Sequence, residues 1–303
     1  MRPLDPSQFF GGETSPASLA TRFLPSIGWM RGFLARHRRI MLALAGVLFV
    51  GGFAWALASA DIAFSTIAWN WVGGAIALGF AGVVLNGLEL SVSAKAIGRR
   101  FPAGEAIHLS SVGILSNLLP VPASALVRGA ALVARGATLA QSGRILLYVG
   151  LLRLAVAGAI TGAALLGGPL GLPVLAVSML ASAALVALLI RTGGLACAAG
   201  LLALRIGMLG IVAVQLLLCF RALGADAGLA DAALHAIAPV VGSAVGIVPG
   251  GLGVSEAIGA ALALLASASP AMAFAALALN RIAGYACALA TVLGFQLRGA
   301  FAR

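Results

Sequence analysis

Apolar residues run through this chain in blocks too long for strands or for the inner face of a soluble helix. Ile40–Ser59, Trp71–Ala94, Ile145–Gly167, Val174–Ile190, Ile206–Phe220 and Ala271–Gln296 hold few charges. Helices of about 20 such residues cross the roughly 30 Å hydrocarbon core of a bilayer, so the pattern predicts about six spanning helices. Two further apolar stretches are interrupted. Glu105–Val133 contains Ser116-Asn117-Leu118-Leu119-Pro120-Val121-Pro122. Ala232–Ala266 contains Ile247-Val248-Pro249-Gly250-Gly251-Leu252-Gly253-Val254-Ser255-Glu256-Ala257. Proline removes a helical hydrogen bond and clashes with the preceding turn. Each flank is then about a dozen residues, on the order of 18 Å of helix, too short to cross alone. Both stretches read as re-entrant hairpins, with Pro120, Pro122, Pro249, Gly250, Gly251 and Gly253 at their breaks. Backbone groups freed there must be buried in protein or line a wet cavity.

Charge orients these elements. Arg31, Arg36, Arg38 and Arg39 precede the first apolar run; Lys95, Arg99, Arg100, Arg135, Arg144, Arg191, Arg298 and Arg303 mark later ends. Under the positive-inside rule they lie in the cytoplasm, with Asp61, Trp69, Trp71, Arg221, Asp226 and Asp231 at the far side. The expectation is a basic cytoplasmic segment 1–39 and one transmembrane domain 40–303, both termini inside. Ala58, Ser59 and Ala60 imitate a signal-peptidase site, but the long basic region favours an uncleaved first helix. Thr192–Leu204 reads as a short surface helix that leaves Arg205 at an inner end.

The two hairpins then enter from opposite faces, and their order repeats. Ala106 to His108 and Ala233 to His235 open them, Pro120 and Pro249 break them, Arg128 and Glu256 follow, and Arg153 and Arg281 come next. Broken helices at corresponding places predict an inverted repeat, halves about 71–167 and 206–296, with a site at their interface.

Composition narrows the class. With 62% hydrophobic and 9% charged residues, a soluble fold is excluded. The 40 glycines and the lack of ten-residue alternating segments select helices packed through small residues over a barrel; the fold class is an all-α polytopic membrane protein. Most of the net charge of +11 is topological, which points to anionic lipid headgroups and away from nucleic acid. Cys197, Cys219 and Cys287 lack metal-type spacing and read as buried reduced thiols. No metal, no cofactor and no catalytic set is expected, which disfavours an enzyme.

Five ionisable side chains fall in or near the apolar layer: Glu89, Arg128, Arg153, Glu256 and Arg281. Isolated charges there are disfavoured by about 3 kcal/mol, so they should face the interior and find partners. Their sum is one positive charge, suited to an anionic headgroup that arginine can hold through two parallel hydrogen bonds. The predicted headgroup cavity is lined by Arg128, Arg153, Glu256, Arg281, Asn117 and Asn280. Blander readings stand beside it. Glu89 reads equally as a residue reaching the interface, a salt bridge to Glu256 competes for Arg153 and Arg281, and His108 and His235 read as interfacial histidines. The amides after Gly253 also suit an anion.

The stretch Ile247–Ala257 resembles the signature of the lysylphosphatidylglycerol synthase transmembrane (flippase-type) family, and Ser116–Pro120 with Arg128 resembles its earlier motif. Arg153 and Arg281 fall where that family carries arginines, and the resemblance spans about Ile40 to Gln296. It implies a polytopic bacterial inner-membrane protein with re-entrant helices, linked to movement of lipids or lipid-linked intermediates between leaflets. Ser124 and Ala125 replace a usual Gly-Glu, and Val156 replaces a usual Asp, which makes the cavity more positive. A stand-alone member without the aminoacyl-transfer domain is expected, so the synthase activity is not implied. The leading expectation is a flippase or translocase of an anionic lipid. The alternatives are a non-transporting partner of an envelope or hopanoid lipid-synthesis enzyme and a small-ion or small-solute transporter.

Overall fold

The computed structural model describes residues 46–47, 49–118, 123–244, 251–265 and 268–301. The basic segment 1–39, most of the first apolar run's opening turn, and the break residues Pro120, Pro122, Pro249 and Gly250 lie outside them. Among the described residues every regular element is helical. In chain order they are α1 (Phe49–Ser59), α2 (Trp69–Ala96), α3 (Ala103–Ser116), α4 (Ala123–Ala134), α5 (Leu139–Ala164), α6 (Gly171–Ala222), α7 (Leu229–Leu234), α8 (Ala238–Ala244), α9 (Val254–Leu265) and α10 (Pro270–Phe301). Four of them, α2, α5, α6 and α10, are long and apolar enough to cross a membrane. These helices have little one-sided polarity to orient them, so small residues set their packing.

Helix α6, at 52 residues, would be about 78 Å long if straight, more than twice the hydrocarbon core. It is not straight. Gly194 has φ 81 and ψ 168, a conformation essentially confined to glycine, and it divides α6 into limbs 171–193 and 195–222. The first limb lies along α5, where a Cβ on Gly162 would meet the Leu175 nitrogen at 2.5 Å. The second lies along α2, with Gly200 facing Val92, Gly207 facing Leu85 and Gly74 facing Leu218. Gly193 sits against Ala96, at the end of α2. At the other end the Thr161 hydroxyl of α5 donates to the Leu234 carbonyl, and His235 packs edge-on against Phe220 of α6. The two limbs therefore run in opposite directions.

This overturns the reading of Thr192–Leu204 as a surface helix. The paired Gly193 and Gly194 reverse the chain within a residue or two, so residues 195–204 belong to the second limb and carry Arg205 inward.

Two shorter helix pairs fill the remaining space. In the first, α3 is fixed to α2 by the Ser110 hydroxyl on the Asn86 carbonyl (3.2 Å) and by Ser91 on the Phe101 carbonyl. A Cβ on Gly87 would meet the Ile107 Cα at 2.5 Å, so only glycine admits this approach. Helix α4 returns along α3, Gly113 facing Ser124, and the mouth is closed by the Arg135–Glu105 ion pair. In the second, α8 and α9 meet in the same manner: a Cβ on Gly242 would come 2.9 Å from the Ser255 Cα. The pairs dock at opposite ends of α10. Gly104 and His108 of α3 contact Phe295, while Gly259 of α9 contacts Leu277, about 27 Å away at about 1.5 Å rise per residue.

The buried apolar residues form two clusters. One gathers Leu90, Leu132, Ile145, Leu152, Leu189 and Leu201; the other gathers Ala56, Val72, Leu216, Phe220, Ala263 and Leu277.

Candidate functional site

The first charged group forms where α2, α4, α5 and α6 meet. Glu89 is 1% exposed. Its Oε1 accepts from Arg128 Nη1 at 3.1 Å, and Arg205 Nη2 lies 2.5 Å from its Oε2. Arg128 Nη2 also donates to Asn86 Oδ1 at 2.7 Å. Arg153 is half-buried and lies within electrostatic reach of Glu89 and Arg128. It makes no hydrogen bond or ion pair among the described residues. Three guanidiniums thus surround one carboxylate. Arg128 Nε and Arg205 Nε are buried and lack hydrogen-bond partners among the described residues.

Beside this group a cavity of about 60 Å³ opens between α2, α5 and α6. Its polar lining is Asn86, Arg153, Arg205 and Gln215, and Gly82, Met208 and Leu209 complete much of the rest. Asn86 Nδ2 donates to the Gly82 carbonyl (3.3 Å), and Gln215 Nε2 to the Ala75 carbonyl (2.9 Å).

The second group is smaller. Glu256, fully buried on α9, accepts from Arg281 Nε at 2.7 Å and from Arg281 Nη2 at 3.4 Å. Nη2 also donates to the Gly251 carbonyl at 3.1 Å. Gly251 has φ 66, which lets the loop before α9 turn that carbonyl toward α10. One carboxylate meets one guanidinium, so this group is neutral and internally satisfied.

Of the residues expected to line one headgroup cavity, Arg128 pairs with Glu89 and Arg281 with Glu256, while Arg153 lines the cavity beside Glu89. The salt bridge to Glu256 holds for Arg281; Arg153 belongs to Glu89. Asn117 is at the end of α3, where its Oδ1 accepts from the Ser124 amide at 3.2 Å. Asn280 sits beside Arg281 with its Oδ1 buried and without a hydrogen bond among the described residues. His235, expected at an interface, is 1% exposed, its Nδ1 2.7 Å from the Asp231 carbonyl. The cysteines are free and buried.

Sequence reasoning missed Arg205, Asn86 and Gln215. Arg205 follows a Gly-Gly break that imitates a loop, but its position inside an apolar run was an available signal. Gln215 and Asn86 carried a weaker one, as amides in otherwise apolar helices.

In a low-dielectric interior, guanidiniums in surplus over carboxylates form a receptor for an oxyanion. Comparison with family models, with curated proteins and with solved structures finds no match.

Proposed function

We propose that this protein is a stand-alone relative of the lysylphosphatidylglycerol synthase transmembrane family that carries an anionic lipid or lipid-linked intermediate between leaflets of a bacterial inner membrane. The observation that carries the reading is the surplus of guanidiniums at Glu89, buried among apolar helices beside a polar cavity. Charges within an apolar helix bundle are rare and mark substrate or ion pathways.

The helix pairs α3–α4 and α8–α9 act as two re-entrant hairpins of an inverted repeat. Their matching glycine-on-serine packing and their docking at opposite ends of α10 support this. Lys95, Arg99 and Arg135 gather at the mouth of the first pair, with Asp226 and Asp231 near the second, which supports a cytoplasmic position for the first. Rocking of one repeat against the other would expose the cavity to each leaflet in turn.

The test is reconstitution. Fluorescent or native anionic lipids should change leaflet faster in proteoliposomes holding the protein than in empty vesicles, and Arg153→Gln should abolish the gain. Equal rates with and without protein would sink the proposal. The small size of the cavity favours a second reading, carriage of a compact free anion, which flux of such an anion in the same vesicles would support.

A further inference from the structure

Two positive charges at Glu89 have no counter-ion among the described residues, since Arg128, Arg153 and Arg205 face a single carboxylate. Arg205 is 3% exposed, lines the cavity, and keeps a buried Nε without a partner among the described residues. Arg153 lines the same cavity with its hydrogen-bonding capacity unspent. A buried charge without compensation is strongly disfavoured, and a buried donor without an acceptor is the kind of gap an absent ion fills.

We infer that this cavity seats a phosphomonoester group, free or at the end of a lipid, held between Arg153 and Arg205. The inference deepens the proposed function by naming the chemistry of the group carried, and it rests on that reading only where the phosphate is borne by a lipid.

Charge selects the class. A phosphomonoester carries about −1.5 to −2 near neutral pH, matching the surplus of two. A carboxylate or a phosphodiester carries one negative charge and leaves the other guanidinium uncompensated. Geometry agrees, because two arginine forks suit a tetrahedral oxyanion with several acceptor oxygens. Size sets a limit. The cavity holds about 60 Å³, where one water needs about 10–15 Å³ on the same scale, so a phosphate group fits. The Glu256–Arg281 pair, already neutral, is not a second seat.

The experiment uses the full chain in phosphatidylcholine nanodiscs, with equilibrium binding and thermal unfolding read for two probes, inorganic phosphate and phosphatidic acid. Dimethyl phosphate and phosphatidylglycerol are the diester controls. Saturable binding of at least one probe is expected, with the matched diester weaker by about tenfold or more and with affinity falling below about pH 6, where the second negative charge is lost. Arg153→Gln should weaken binding by a similar factor. Gly82→Val, which adds bulk to the cavity without removing charge, should do the same; a Cβ there meets only Ile211 at 3.9 Å, and thermal unfolding of the ligand-free variant checks that the added methyl groups leave the fold intact.

Competition between the probes supports one seat for free and lipid-borne phosphate. Binding of phosphatidic acid alone supports the lipid source. Binding of inorganic phosphate alone supports the seat and rejects lipid carriage. The inference is overturned if neither probe saturates the wild type, if diesters bind as tightly, or if both substitutions leave binding unchanged.

Discussion

The Glu89 group and the Glu256–Arg281 pair use the same residue types, a buried carboxylate facing arginine, yet they are built to different ends. Glu256 and Arg281 satisfy one another and hold the Gly251 carbonyl, leaving little for a ligand to do. Glu89 is outnumbered, and two of its arginines keep buried Nε atoms without partners among the described residues. The comparison teaches that a buried charge is not by itself a site; the site is where the charges fail to balance.

The largest effect expected is from Glu89→Gln, which leaves buried Arg205 and partly buried Arg128 and Arg153 with no carboxylate. Loss of one member of a buried pair costs about 3–5 kcal/mol, so thermal unfolding in detergent should show severe destabilisation or no folded protein. Wild-type stability in this variant would remove the distinction between the groups. Glu256→Gln should cost nearly as much, about 3 kcal/mol. Here the double variant Glu256→Gln with Arg281→Gln should recover most of the loss, because the pair is balanced. No single arginine removal should rescue Glu89→Gln to the same degree.

Gly194→Ala forces a side chain into a conformation essentially reserved for glycine, at a cost of about 1–3 kcal/mol. Because Gly194 sets the course of the limb that carries Arg205, the cost should be non-additive with Arg205→Gln and additive with Glu256→Gln in double-mutant cycles. Arg153→Gln should change stability by less than about 1 kcal/mol, since it removes one of three like charges and no hydrogen bond. A larger loss would show that Arg153 is structural. Asp226→Asn breaks an ion pair to Arg221 on the surface (3.1 Å, Asp226 side chain 96% exposed); it should leave both unfolding and transport within measurement scatter.

Much of this arrangement was legible in the sequence, for a physical reason. A charge stands out in apolar surroundings, so Arg128, Arg153, Glu256 and Arg281 identified themselves, and prolines in short apolar flanks marked both interrupted stretches. Pairing was not legible. Glu89 meets Arg205 only because Gly194 reverses α6 and lays its second limb along α2, and a Gly-Gly step in apolar sequence reads equally as a loop or as a reversal. Asn117 was legible only as a polar residue beside a break; its bond to the Ser124 amide depends on how α4 returns along α3, which spacing does not give.

The reversal at Gly194 also bears on how the chain enters the membrane as it is made. Helix α6 contains the most apolar window among the candidate spans, at a mean hydropathy of 2.4, so the first limb can partition into lipid on its own. The second carries Arg205, which an isolated helix inserts against about 2.5–3.5 kcal/mol. The carboxylate that answers this charge, Glu89, is on α2 and is synthesised earlier. The order of elements along the chain therefore supplies the counter-charge before the charge, and Gly194 delivers the second limb to a partner already waiting at depth.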